Sequence, residues 1–168
     1  MPVITPKSES KLPKGFQGWI TPRTLWDNIN QEYGFTIDGA ASEINARMLR
    51  FLDEKQDALR HELVDETVWC NPPYRKILPW VQWAVKNSMQ NSTTVLLVPA
   101  GIDTAWFCDL IARRARWWTF RGRIKFDTPP GVHNPGHSSV VNILAEIGPE
   151  TEPGFAGVRD NVTGRQIG

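Results

Sequence analysis

Apolar positions along this 168-residue chain follow two rhythms that trade places from one segment to the next. In "TPRTLWDNINQEYG" (21–34), Leu25, Trp26, Ile29 and Tyr33 fall on one face of a helix. Thr21 is its predicted N-cap, Pro22 its first residue and Gly34 its C′ stop. A short strand, Phe35 to Asp38, is predicted next. It ends in the small-residue turn "DGAAS", and a second helix is predicted around 42–50. Val68-Trp69-Cys70 reads as a strand. Beyond it Ile77, Trp80, Val81, Ala84 and Val85 return to helical spacing, with Pro79 near the helix start. "TVLLVPA" (94–100) is apolar without interruption, as a strand buried on both faces of a parallel sheet would be. "DTAWFCDLIARRAR" (103–116) predicts a helix capped by Asp103 or Thr104. Trp106, Phe107, Leu110 and Ile111 face inward there, and arginines fill the last turn. "WWTF" and "SVVNILAEI" read as two closing strands, joined by the Pro/Gly-rich loop 127–139.

Strands alternating with helices predict a doubly wound α/β sandwich, in which ligands sit at the carboxyl ends of the strands. Asp38 and Asn71 both fall at such ends. Residues 1–16 and 149–168, polar and rich in Gly and Pro, are expected to be loose tails around one domain, 17–148. Charged residues make up 22% and apolar residues 40%, an ordinary globular balance. A net charge of +1 argues against binding nucleic acid by bulk charge, so any basic surface must be local. Two cysteines are too few for a disulfide framework or a Cys-rich zinc site. No signal-peptide run and no membrane span are visible. The expectation is a cytoplasmic protein with reduced thiols and no membrane partner.

The stretch that carries chemistry is "VWCNPPYRK" (68–76). Two prolines cannot extend a strand ladder or sit inside a helix, so the strand stops and Asn71 and Tyr74 ride on a stiff turn. An Asn side-chain oxygen and the carbonyl of the following proline are two acceptors fixed in one place. They suit a planar NH₂ group, and the aromatic ring three residues on can stack against the plane bearing it. Accepting both hydrogens draws an aryl amine toward a tetrahedral shape and aims its lone pair at an electrophile. The chemistry indicated is alkyl transfer to an amino group on a planar ring or amide, without a strong base.

The "NPPY" turn resembles the catalytic motif of S-adenosylmethionine-dependent amino-methyltransferases. "WITP" (19–22), "FTIDGAASEINAR" (35–47), "DAL" (57–59), "LLVPAGIDTAWF" (96–107) and "FRGRIKF" (120–126) occur in the order typical of phage-type Dam DNA N6-adenine methyltransferases. The resemblance covers residues 16–146. It implies a compact Rossmann-like class I methyltransferase, a three-layer sandwich without a separate target-recognition domain. It further implies transfer of a methyl from S-adenosylmethionine to adenine N6 in double-stranded DNA, in a bacterial host cell and on a phage or prophage. Asn71 and Pro72 would hold the amine on the turn stiffened by Pro73, and Tyr74 would stack on an adenine flipped out of the duplex. Trp19, Thr21 and Pro22 would help bind the methionine end of the cofactor, with Asp57 and Leu59 near its adenine. The usual Gly-rich cofactor loop is missing, and Ala40 and Ala41 occupy the nearest turn. Asp38 would be the acidic cofactor ligand, at either the methionine amine or the ribose.

Arg121, Arg123 and Lys125 alternate, so on a strand they would share one face and could hold phosphates. His133 and His137, four apart with no Cys or acid at ligand spacing, point to DNA contact by a loop rather than to zinc, and the chemistry needs no metal. The same turn would suit an RNA amine or a protein glutamine amide, and a binding-only relic of the fold is a further alternative. The sequence sets neither the recognition sequence, nor the oligomeric state, nor a role in anti-restriction or regulation.

Overall fold

The structure is a computed structural model, and it describes residues 18–132 and 140–168. Seven strands form one mixed sheet in the order β1-β2-β3-β5-β4-β6-β7. β1 (Ile37–Asp38), β2 (Thr67–Cys70) and β3 (Thr93–Pro99) are parallel neighbours. β5 (Asn142–Ile147) lies antiparallel between β3 and β4 (Arg116–Arg121), so β4 runs in the same direction as β3. β6 (Gly154–Asp160) is parallel to β4, and β7 (Gln166–Ile167) closes that edge antiparallel to β6. A bridge from Asp38 to Phe51 extends the opposite edge.

Alternation along the central strands sends side chains into two cores. Trp69, Val95, Leu97 and Leu144 meet Leu25, Trp26 and Ile29 of α1 (Arg23–Tyr33). Val68, Cys70, Leu96, Val98 and Ala145 meet Ile77, Val81, Trp83 and Ala84 of α2 (Ile77–Ser88) on the other face. That second core is completed by Phe107 and Ile111 of a π-wound stretch, Phe107–Ile111, which runs into α3 (Ala112–Arg114). Helices on both faces of the sheet make the expected three-layer Rossmann-like sandwich. β3 is buried on both faces, as its unbroken apolar run predicts.

Gly34 ends α1 in the left-handed conformation (φ 66°), its N–H donating to the Asn30 carbonyl at 2.7 Å. The start of α1 differs from expectation. Pro22, not Thr21, is the N-cap, with no side-chain capping bond, which leaves the Thr21 hydroxyl for another partner. No helix forms at 42–50, where turns and bends run instead. Ser42 and Asn45 bond each other there, and the Arg47 guanidinium reaches the Thr21 carbonyl, local partners that compete with helix formation.

The C-terminal residues 149–168 are not a loose tail, because β6 and β7 belong to the sheet. The reason is Arg159, whose side chain is fully buried. It makes a two-pronged bond to Glu32 of α1 at 2.9 and 2.8 Å, donates to the Gly164 carbonyl at 2.8 Å and lies 4.4 Å over the Trp118 ring. The N-terminal expectation for 1–16 lies outside the described residues. Among the described residues, no helix is long and apolar enough to cross a membrane.

Candidate active site

The parallel strands bring the two candidate loops together. Asp38 pairs with Trp69, and the Gly39 N–H donates to the Trp69 carbonyl at 2.8 Å. The turn after β1 therefore lies beside the strand end that leads into Asn71. Contact is close enough that a Cβ on Gly39 would stand 2.6 Å from Trp83 and 3.0 Å from Val68. Glycine is required here for space.

Asn71 follows the last residue of β2, and its amide Nδ2 donates to Thr21 Oγ1 at 3.2 Å. That bond uses one of the two Nδ2 hydrogens and orients the amide, with Oδ1 as its acceptor end for a ligand. Trp19, Asn71, Pro72 and Tyr74 line one small cavity of about 30 Å³. Trp19 is held over it by the Ile20–Asp127 bridge, with both N–H···O distances at 2.9 Å, and by its packing against Phe126. Pro72 is buried and Pro73 exposed. The half-buried Tyr74 receives a 2.7 Å bond from Asn142 Nδ2, and burial pushes its phenol pKa well up, so the hydroxyl stays protonated.

Asp38 is 2% exposed, and among the described residues its oxygens accept long backbone bonds, from Ala40 N–H at 3.3 Å and Arg47 N–H at 3.4 Å. Burial raises its pKa to about 6 against those two bonds and the Arg47 charge. A buried carboxylate with weak donors fits a cationic ligand, since an ammonium would supply the missing charge and a strong hydrogen bond. Cys70 next to it is fully buried and its thiol is pushed up by desolvation and by Asp38, so it is not a nucleophile.

Arg47 ties these parts together. Its backbone N–H reaches Asp38, its guanidinium donates to the Thr21 carbonyl, and it pairs with Asp127 at 3.7 Å. Thr21 thus touches the Asp38 loop through its carbonyl and the Asn71 turn through its hydroxyl. Neither Arg47 nor Asn142 was marked by motif spacing. Asn142 carries a signal, a polar residue inside "VVNILAEI", and Arg47 closes the family-like stretch "FTIDGAASEINAR".

The other candidates lie farther out. Ala40 packs on the α2-side core. Asp57 sits in left-handed backbone (φ 49°) at the head of the helical turn Ala58–Arg60, its carboxylate bonded to Arg60 at 2.8 Å. Leu59 packs on the same core, and neither residue lines the Asn71 cavity. Arg121, Arg123 and Lys125 are all exposed between buried Phe120, Ile124 and Phe126. They do not form one strand row, because β4 ends at Arg121 and Gly122 turns the chain at φ 90°. Arg121 lies at the carboxyl end of β4, the same end of the sheet as Asn71. Arg75 and Lys76, exposed directly after Tyr74, add two cations near the site that the sequence reading passed over. His133 and His137 lie outside the described residues. No group of three metal-ligating side chains occurs among the described residues.

Comparison with known proteins points the same way as this geometry. A family model described as DNA N-6-adenine-methyltransferase (Dam) matches residues 9–157. A protein of Haemophilus phage HP1 named DNA N-6-adenine-methyltransferase is 31% identical over 115 residues, 67% of this chain and 62% of its own length. A protein of Escherichia phage T1 with the same name is 32% identical over 149 residues, 77% of this chain and 63% of its own length. The chain therefore spans less than two thirds of either relative. With the match running across nearly the whole sheet and both loops of the site, the chain belongs to the Dam family of DNA N-6-adenine-methyltransferases.

Proposed function

We propose that this chain transfers a methyl group from S-adenosylmethionine to the N6 amine of an adenine in double-stranded DNA. One observation carries the reading: the Asn71 amide is turned by Thr21 so that its oxygen accepts, inside a cavity shared with Tyr74, Pro72 and Trp19. An acceptor facing an aromatic ring is what a planar aryl amine requires. When bound, S-adenosylmethionine supplies a methyl carried on a sulfonium. Asp38 would hold the ammonium of its methionine end rather than its ribose, because a buried acid with weak donors gains most from a full positive charge.

Asn71 Oδ1 and the Pro72 carbonyl would accept the two hydrogens of the target amine. This withdraws the lone pair from the ring and aims it at the incoming methyl. The nitrogen becomes acidic as it is alkylated, so its proton passes out along the same acceptors and no separate strong base is needed. Tyr74 would hold the adenine plane by stacking. The cavity of about 30 Å³ is far below the roughly 300 Å³ and more of ordinary ligand sites. The base must therefore arrive flipped from the duplex and widen the space between Trp19 and Tyr74. Arg121, Arg123 and Lys125, with Arg75 and Lys76, would hold phosphates around it, and His133 and His137 remain candidates for the same task. Asp57 and Leu59 would flank the adenine end of the cofactor.

The test is chemical. Unmethylated duplex DNA is incubated with the protein and S-adenosylmethionine, digested to nucleosides and assayed for N6-methyladenine by mass spectrometry. The mark is expected with the natural protein and absent with Asn71→Ala, whose cofactor affinity falls much less. Equal activity in the two proteins would refute the assignment of Asn71. A mark on RNA or on a glutamine amide in place of DNA would refute the substrate.

A further inference from the structure

Asn142 opens β5 at the active end of the sheet, opposite Pro99 and fully buried. Its neighbours in the strand, Ile143, Leu144 and Ala145, are apolar and also fully buried. A valine there would bury no polar group. An asparagine must instead satisfy an amide in an apolar setting, and it does so incompletely. Nδ2 donates to Tyr74 at 2.7 Å and more weakly to the Val98 carbonyl at 3.5 Å, while Oδ1 has no partner among the described residues. A buried unsatisfied acceptor costs stability, and such a cost in a native core calls for a compensating task. The strong bond goes to the hydroxyl of Tyr74, the ring that lines the Asn71 cavity.

We infer that Asn142 is a positioning residue, which pins the Tyr74 ring from behind so that its face is fixed beside Asn71 before any base arrives. Tyr74 is on a turn stiffened by two prolines, which fix the backbone, and its ring packs against the α2-side core. The bond from a β5 side chain to the far end of the ring adds a directional restraint that apolar packing does not supply. The proposal rests on the amine-transfer reading for its purpose, but the restraint itself does not.

The chain has two tyrosines, Tyr33 and Tyr74, which makes the test direct. With ¹³C-labelled tyrosine the protein gives two ring signals, and Tyr74→Phe identifies the Tyr74 signal. Asn142→Leu is expected to move the Tyr74 signal toward that of a freely turning ring. The Tyr33 signal, held by its 2.7 Å bond to Glu146 on the opposite end of β5, should stay in place and report that the fold is intact. In methyl transfer, Asn142→Leu is expected to lower kcat by roughly three- to tenfold, the range for losing one hydrogen bond. In a Tyr74→Phe background the same substitution should lower kcat no further, because the bond is already gone. An unmoved Tyr74 signal, or an equal loss of kcat in both backgrounds, would overturn the proposal. If the natural protein transfers no methyl at all, the functional reading fails, while the ring signal still decides the role of Asn142.

Discussion

The charge state of Asp38 makes the sharpest test of where the cofactor sits. In the ligand-free protein, burial raises this carboxyl from 3.8 to about 6, so holding it ionised at neutral pH costs roughly 3 kcal/mol. With Asp38 only 2% exposed, solvent screening takes little from that cost. An ammonium docked on the carboxylate would hold it ionised down to a much lower pH. Cofactor binding then releases the proton that Asp38 carries below about pH 6, and affinity must fall as pH drops through that value. The expected loss between pH 7 and pH 5 is about tenfold. Isothermal titration across that range would measure it for S-adenosylmethionine and for 5′-methylthioadenosine, which keeps the nucleoside and lacks the ammonium. The first should show the slope and the second should be flat, and Asp38→Asn should abolish the slope while weakening the first ligand. Equal slopes for the two ligands, or none for either, would refute the placement of the methionine end at Asp38.

Three further outcomes follow from the same geometry. The folded carboxyl of Asp38 lies above its unfolded value, so the ligand-free protein is most stable with the group protonated and loses that advantage as pH rises from about 4 to about 6. The difference in thermal midpoint between the natural protein and Asp38→Asn should shift against the natural protein over that interval, and a constant difference would contradict the burial argument. Thr21→Val removes the acceptor that orients Asn71 and should lower kcat by roughly tenfold, while Thr21→Ser preserves it. Single-turnover kinetics with separately measured cofactor affinity would show whether Thr21 serves Asn71, as its contact indicates, or the cofactor, as the family resemblance implies. Glu32→Ala strands the guanidinium of Arg159 in the core. The loss for breaking a fully buried pair is discounted here, because Glu32 is 38% exposed, to roughly 2 kcal/mol. Urea unfolding should also show the double variant Glu32→Leu with Arg159→Met recovering most of that loss.

What the sequence disclosed and what it hid divide along one physical line. Wherever a residue's role is set by its immediate neighbours, it could be read. The proline pair stops β2 and announces Asn71 and Tyr74; the uninterrupted "LLV" places β3 in the middle of the sheet; Gly34 ends α1. Where the role depends on a partner far along the chain, the local pattern misled. The segment at 42–50 has helix-like composition, but Arg47 is drawn off to Thr21 and the chain folds back past Asp38. The C-terminal twenty residues look like a solvated tail because their anchor, Glu32, is 127 positions from Arg159. Asn142 lies unremarked inside a run read simply as a closing strand, and only the fold brings it to Tyr74. Thr21, expected as the N-cap of α1, instead offers its hydroxyl to Asn71, 50 positions away.

The same division shows in how the candidate site is assembled. No single element carries it: Asn71 and Tyr74 come from the end of β2, Asp38 from the end of β1, Trp19 and Thr21 from the entry to α1, and Asn142 from β5. Thr21 joins two of these loops, so its position depends on how α1 is seated on the sheet. α1 is fixed at its far end by Glu32 to Arg159 and along its side by Asn28, which donates to the Thr163 carbonyl at 2.8 Å and accepts from Arg165 at 3.2 Å. Every one of those anchors belongs to β6, β7 or the turn between them. The polar C-terminal segment is therefore the clamp that sets the helix whose entry contacts Asn71, and cutting it away should loosen the Asn71 turn even though no C-terminal residue lines the cavity.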